Sequence, residues 1–127
     1  MSGPKNKLPP ASATTTAVLV LLPEVTRDRT IQSLHLNRET EFMRIQWVMR
    51  GEQADTKLTV NILEDGHSLA TAKLHKRVRE IDGNRVAEFR IPTVVFGKST
   101  LSASYLFSIV DNSSRVIAEY PIHIIRN

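Results

Sequence analysis

The chain has 127 residues, 41% hydrophobic and 24% charged, which suits one globular domain able to bury a core without cross-links. It contains no cysteine, so disulfides, thiolate metal sites and cysteine nucleophiles are excluded. A net charge of +4 favours anionic partners only weakly, and no apolar run approaches the ~20 residues of a membrane-spanning helix.

Residues 1–14 hold Pro4, Pro9 and Pro10 among Ser, Gly, Asn and Lys, and read as a flexible linker or terminus; the domain proper is residues 15–127. Residues 15–22 form an apolar, β-branched run ended by Pro23. This predicts a strand buried on both faces or crossing between sheets. The run is too short for the h-region of a signal peptide and lacks a cleavage site, so a soluble chain is expected. Residues 31–36 predict a short strand with Leu34 and Leu36 inward. Residues 42–49 alternate Met43, Ile45, Trp47 and Met49 against Arg44 and Gln46. Residues 57–63 alternate Leu58, Val60 and Ile62 against Lys57, Thr59 and Asn61.

Asp65-Gly66 is a hairpin signal, since both central residues of a type I′ turn need positive φ. Residues 69–80 pair back with Ala72, Leu74 and Val78 inward. Asp82-Gly83-Asn84 is a second such turn, and residues 85–91 follow with Ala87, Phe89 and Ile91 inward. Residues 93–100 predict a turn or short 3₁₀ piece that plugs one end of the core with Phe96. The closing hairpin alternates Leu101, Ala103, Tyr105, Phe107 and Ile109 against Ser102, Ser104 and Ser108. After a break at 111–114 it alternates Val116, Ala118, Tyr120, Ile122 and Ile124.

No segment shows a sustained helical period. The expected fold is all-β, an immunoglobulin-like antiparallel β-sandwich of seven to eight strands. A glycine count of 5 disfavours a small barrel, whose corners usually need more. Strand parity places Trp47, Phe89, Tyr105, Phe107 and Tyr120 in the core, and Tyr105 is expected to tie its hydroxyl to nearby backbone.

Chemistry-bearing patterns are sparse. His35, His67, His75 and His123 lack metal-ligand spacing. The serines fall on outward strand positions, and no G-x-S-x-G occurs. The carboxylate pairs Glu39/Glu41 and Glu64/Asp65 read as turn chemistry. A non-enzymatic domain without cofactor or metal is therefore expected. Lys73, Lys76, Arg77 and Arg79, with His75 among them, form the one basic cluster. Lys73, His75, Arg77 and Arg79 share parity and make a stripe that could bind nucleic acid or another polyanion in the cytoplasm. The same stripe also suits a solvated face or a protected edge strand. Interaction with a protein partner would fall on loops 51–56 and 93–100, or on an open sheet edge, for which residues 115–125 are the candidate.

The order Leu22-Pro23, Thr26-Arg27, Ile91-Pro92, Leu101 to Tyr105-Leu106 and Tyr120-x-Ile122-x-Ile124-x-Arg126 resembles a known module over residues 15–126. That module is the extracytoplasmic β-sandwich of bacterial anti-sigma-factor-like, zinc-finger membrane proteins. The glycine that family places just before the tyrosine is replaced here by Ala103-Ser104, and no Cys/His zinc-binding part or membrane span is present. The resemblance implies a periplasmic sensor or scaffold piece of a longer protein, with sigma binding outside these residues.

Overall fold

In the computed structural model residues 16–23, 31–49, 57–97 and 101–127 are described, with backbone alone for Lys76, Arg77 and Leu101. The linker 1–14 and the loop 51–56 lie outside them. The fold is all-β. Its strands are β1 (Thr16–Leu21), β2 (Gln32–Leu36), β3 (Phe42–Val48), β4 (Thr59–Glu64), β5 (His67–Ile81), β6 (Asn84–Pro92), β7 (Leu101–Val110) and β8 (Val116–Arg126). Among the described residues no helix is long and apolar enough to cross a membrane.

The tight hairpins follow from turn chemistry. Asp65 and Gly66 have φ of 52° and 79°, and Asp82 and Gly83 have 51° and 81°, the left-handed pairs of type I′ turns. The first closes on Glu64 and His67, so β5 starts two residues earlier than the alternation predicts and His67 is in the strand rather than the turn.

The strands form one sheet in the order β1-β3-β6-β5-β4-β7-β8-β2. β5 joins its two halves, pairing with β4 from His67 to Lys73 and with β6 from Leu74 to Ile81. Its register slips between Leu74 and Lys76 and again between Lys76 and Arg79. Extra residues of this kind bend a strand and sharpen its twist. The sheet thereby curls until its end strands approach, and it is nearly closed. Gln32 Nε2 on β2 donates to Val20 O on β1 at 3.2 Å. Few glycines therefore do not preclude a barrel-like curl, because bulges supply the bend. The antiparallel expectation also needs correcting at both ends: β1 runs parallel to β3, and β2 runs parallel to β8.

The core is lined by inward positions of every strand. Met43, Ile45 and Trp47 of β3, Val60 and Ile62 of β4, and Phe89 of β6 meet Tyr105, Phe107, Tyr120 and Ile122 of the last hairpin. Thr93–Phe96 is a 3₁₀ turn that seats Phe96 edge-on against Tyr105, with ring centres 4.9 Å apart. Thr93 N donates to Glu41 O at 2.8 Å and fixes this plug to the start of β3.

Three further expectations change. β1 is not buried on both faces: Leu19 and Leu21 point in, while Val18 and Val20 are 45% and 39% exposed. Its apolar run suggests a strand buried on both faces or crossing between sheets, but it occupies a sheet end where Val18 and Val20 stay exposed. Residues 115–125 are not an open edge along their length, because β8 is flanked by β7 and, from Ile122 onward, by β2. The tyrosine that ties backbone is Tyr120 rather than Tyr105. Tyr120 Oη donates to Leu22 O at 2.8 Å and accepts from Trp47 Nε1 at 3.0 Å. The Tyr105 hydroxyl makes no hydrogen bond among the described residues, and burial followed by the charge of Glu64 raises its pKa.

Candidate functional site

The basic cluster spans the bends in β5 and two ladders. Lys73 pairs with Thr59 in the β4 ladder, whereas Lys76 stands opposite Glu88 and Arg79 opposite Val86 in the β6 ladder. The outward parity survives the two slips, since Lys73 and Arg79 are exposed while Ala72, Leu74 and Val78 pack against the core, but the stripe bends with the strand. The side chains of Lys76 and Arg77 lie outside the described set, and His75 is exposed.

Arg79 belongs to a cluster built around an acid. Glu88 is an outward position of β6, yet only 2% exposed. Arg44 of β3 grips it with Nη2 at 2.9 Å and Nε at 3.3 Å, Gln46 Nε2 donates to it at 3.3 Å, and Arg79 Nη2 lies 3.6 Å away. This is a buried carboxylate covered by cations from both flanking strands, whose own side chains remain partly exposed. The hydrogen bond to Glu88 raises the Arg44 pKa, against a smaller opposing effect of burial. Next to it, the Arg90 guanidinium lies 4.1 Å from the centre of the Phe42 ring.

Beside this polar cluster runs the outer face of β1. Val18 pairs with Arg44 and Val20 with Gln46, so an apolar row borders the Glu88 cluster. Leu22, just past the strand, is 62% exposed. β1 has no charged residue, no proline and no bulge, and β3 is its one ladder partner among the described residues. Natural sheets usually protect such an edge with those devices.

On the other half of the sheet, β7 and β8 bring hydroxyls to a histidine. Ser104 pairs with His123 in register, leaving Ser104 Oγ 3.1 Å from Nδ1 and Ser102 Oγ 3.0 Å from Nε2. A neutral imidazole accepts at one nitrogen only, so at most one serine gives up its hydrogen-bonding proton to it. The Nδ1 side, where a triad places its orienting carboxylate, is taken by a hydroxyl. Ser108 is buried, and its Oγ has no hydrogen-bond partner among the described residues. Among the described residues no three His, Asp or Glu side chains could together hold a metal ion. The hairpin register could have exposed the Ser104–His123 pair in advance, because both are outward positions on strands joined by a short break.

The aromatic residues Trp47, Phe89, Tyr105, Phe107 and Tyr120 are all buried, and Tyr105 alone of them also lines a shallow surface pocket, between the β4–β5 turn and β7, among the described ones. No known protein family and no curated protein matches this sequence.

Proposed function

We propose that this domain is a non-enzymatic interaction module that engages a protein partner along β1. The observation that carries the reading is the uncharged end strand with Val18, Val20 and Leu22 exposed on its outer face. A partner strand laid against that edge would take main-chain hydrogen bonds for affinity and the valine row for specificity. We read the curled sheet as an immunoglobulin-like sandwich. In support, its ladders divide at β5 into β1-β3-β6-β5 and β5-β4-β7-β8-β2. The resemblance to the periplasmic module of anti-sigma-factor-like membrane proteins supports an extracytoplasmic setting as part of a longer bacterial protein.

The polyanion reading is weaker, since Arg79 is engaged with Glu88 and Lys73 sits in a different ladder. A salt titration against generic RNA would detect it as binding that falls steeply with ionic strength.

A photo-crosslinking residue at position 20, in cells of the source organism, tests the preferred reading. A discrete protein adduct is expected, and it should disappear when Val18→Lys is added. An equal adduct from the exposed strand position Thr71 in the other ladder, or none from position 20, refutes docking on β1.

A further inference from the structure

The inward parity of β8 does not end with the core. Ile122 and Ile124 are followed, two residues on, by Arg126, which takes the same inward position and is 5% exposed. Its guanidinium is held by neutral acceptors. Nη2 donates to Thr40 O at 2.9 Å and Thr93 Oγ1 at 2.8 Å, and Nη1 donates to Gly97 O. Among the described residues the buried Nε–H has no partner, and no carboxylate forms an ion pair with this cation. A buried charge normally requires an opposite charge, and carbonyl dipoles offset only part of its desolvation.

Arg126 forms one wall of a cavity of about 470 Å³ between the β2–β3 turn and the 3₁₀ turn. That size suits a small organic ligand. Arg38 lines the same cavity and has no hydrogen bond or ion pair among the described residues. Glu41, Pro92 and Val94 complete the wall. Two guanidinium groups against one carboxylate leave an excess of one positive charge, which matches a monoanion better than a dianion. Guanidinium forks suit the planar carboxylate, and Pro92 and Val94 offer an apolar surface beside it. We propose that this cavity is a binding site for a small monocarboxylate with an apolar body, its carboxylate held between Arg38 and Arg126. The site lies apart from β1 and stands whether or not a partner docks there.

Arginine Nε–H resonances of ¹⁵N-labelled protein, titrated with butyrate, test the site. A slowly exchanging Nε–H signal, assigned by its loss in Arg126→Lys, should shift saturably with butyrate and stay unmoved by the neutral isostere butyramide. Arg38→Gln, at an exposed position that leaves the core untouched, should weaken butyrate about tenfold by removing a charged hydrogen bond. If Arg126→Lys fails to fold, the wild-type and Arg38→Gln titrations decide alone through backbone amides of Thr40 and Thr93. Equal responses to butyrate and butyramide, stronger binding of sulfate than of butyrate, or an unchanged affinity in Arg38→Gln would each overturn the proposal.

Discussion

Replacing Tyr120 with phenylalanine isolates one hydroxyl that joins three strands. The ring stays and keeps its packing, but the oxygen that accepts from Trp47 Nε1 at 3.0 Å and donates to Leu22 O at 2.8 Å is gone. The Trp47 N–H is buried, and without the hydroxyl it loses this acceptor. A buried donor left unpaired costs about 1–3 kcal/mol. Leu22 is exposed at the end of β1, so its carbonyl can turn to solvent and adds only ~0.5 kcal/mol or less. Tyr120→Phe should therefore lower stability by about 2 kcal/mol, and it should do so without opening a cavity. Urea unfolding followed by far-UV circular dichroism measures this. Trp47 is the one tryptophan of the chain, so fluorescence cannot follow the full cycle with Trp47→Phe. In that cycle the double variant should lose less than the sum of the singles by about 1 kcal/mol, since either change alone breaks the same bond. Strict additivity, or a Tyr120→Phe loss under ~0.5 kcal/mol, would refute the view that this bond pins β1 and β3 to β8.

Gly83→Ala should destabilise by about 1–2 kcal/mol in the same unfolding assay, because φ of 81° forces an L side chain into the left-handed region although space for the methyl group is open. Glu88→Gln keeps shape but removes the charge that Arg44 and Arg79 share, and should cost about 1 kcal/mol, with a smaller loss at 1 M salt as measured by paired urea titrations. The Asp111 carboxyl is held below the ordinary carboxylate range, first by the Arg115 backbone N–H and then by that of Ser113, with smaller help from the Arg115 charge. Its contribution to the turn is present above the unfolded value of ~3.9 and is lost as pH falls through the lowered folded value. An NMR titration of Arg115→Ala should leave the midpoint still low, because the backbone donor remains; a full return to the ordinary value would show that the side-chain charge dominates.

Local signals in this chain were legible, and non-local ones were not. Asp65-Gly66 and Asp82-Gly83 carry their turn type in two residues, and the alternation around Trp47, Phe89 and Phe107 assigns the inward face directly. Phe96 was readable as a plug because Pro92 and Gly97 bracket a short apolar piece. The parallel pairings of β1 with β3 and β2 with β8 join segments with no turn between them, so no dipeptide announces them. The slips in β5 are equally silent. The outward alternation of Lys73, His75 and Arg79 holds in the fold, and only pairing with β6 shows that β5 carries extra residues against it. Parity also fixed that Tyr105 and Tyr120 face inward, but which hydroxyl finds a backbone carbonyl depends on where β1 ends in space. Arg126 is the instructive case on the side of the sites. It continues the inward series of β8 by one step, and an arginine at a core position is itself a signal of unusual chemistry.

The manner in which the sheet closes leaves β1 with β3 as its one ladder partner among the described residues. A barrel closed by backbone hydrogen bonds has no edge to offer a partner. Here the ends are drawn together by side chains, Gln32 to the Val20 carbonyl and Tyr120 to the Leu22 carbonyl, and no ladder joins β1 to β2 among the described residues. Side-chain closure holds the curl that buries Leu19 and Leu21 while it leaves the main chain of β1 free to pair elsewhere. A partner strand would then have to displace little more than the Gln32 bond, which is exposed and worth about 1 kcal/mol or less. The Tyr120 bond sits deeper and involves the residue after the strand, so it can persist while the edge is occupied. The core would be kept by one device and the edge lent by the weakness of the other.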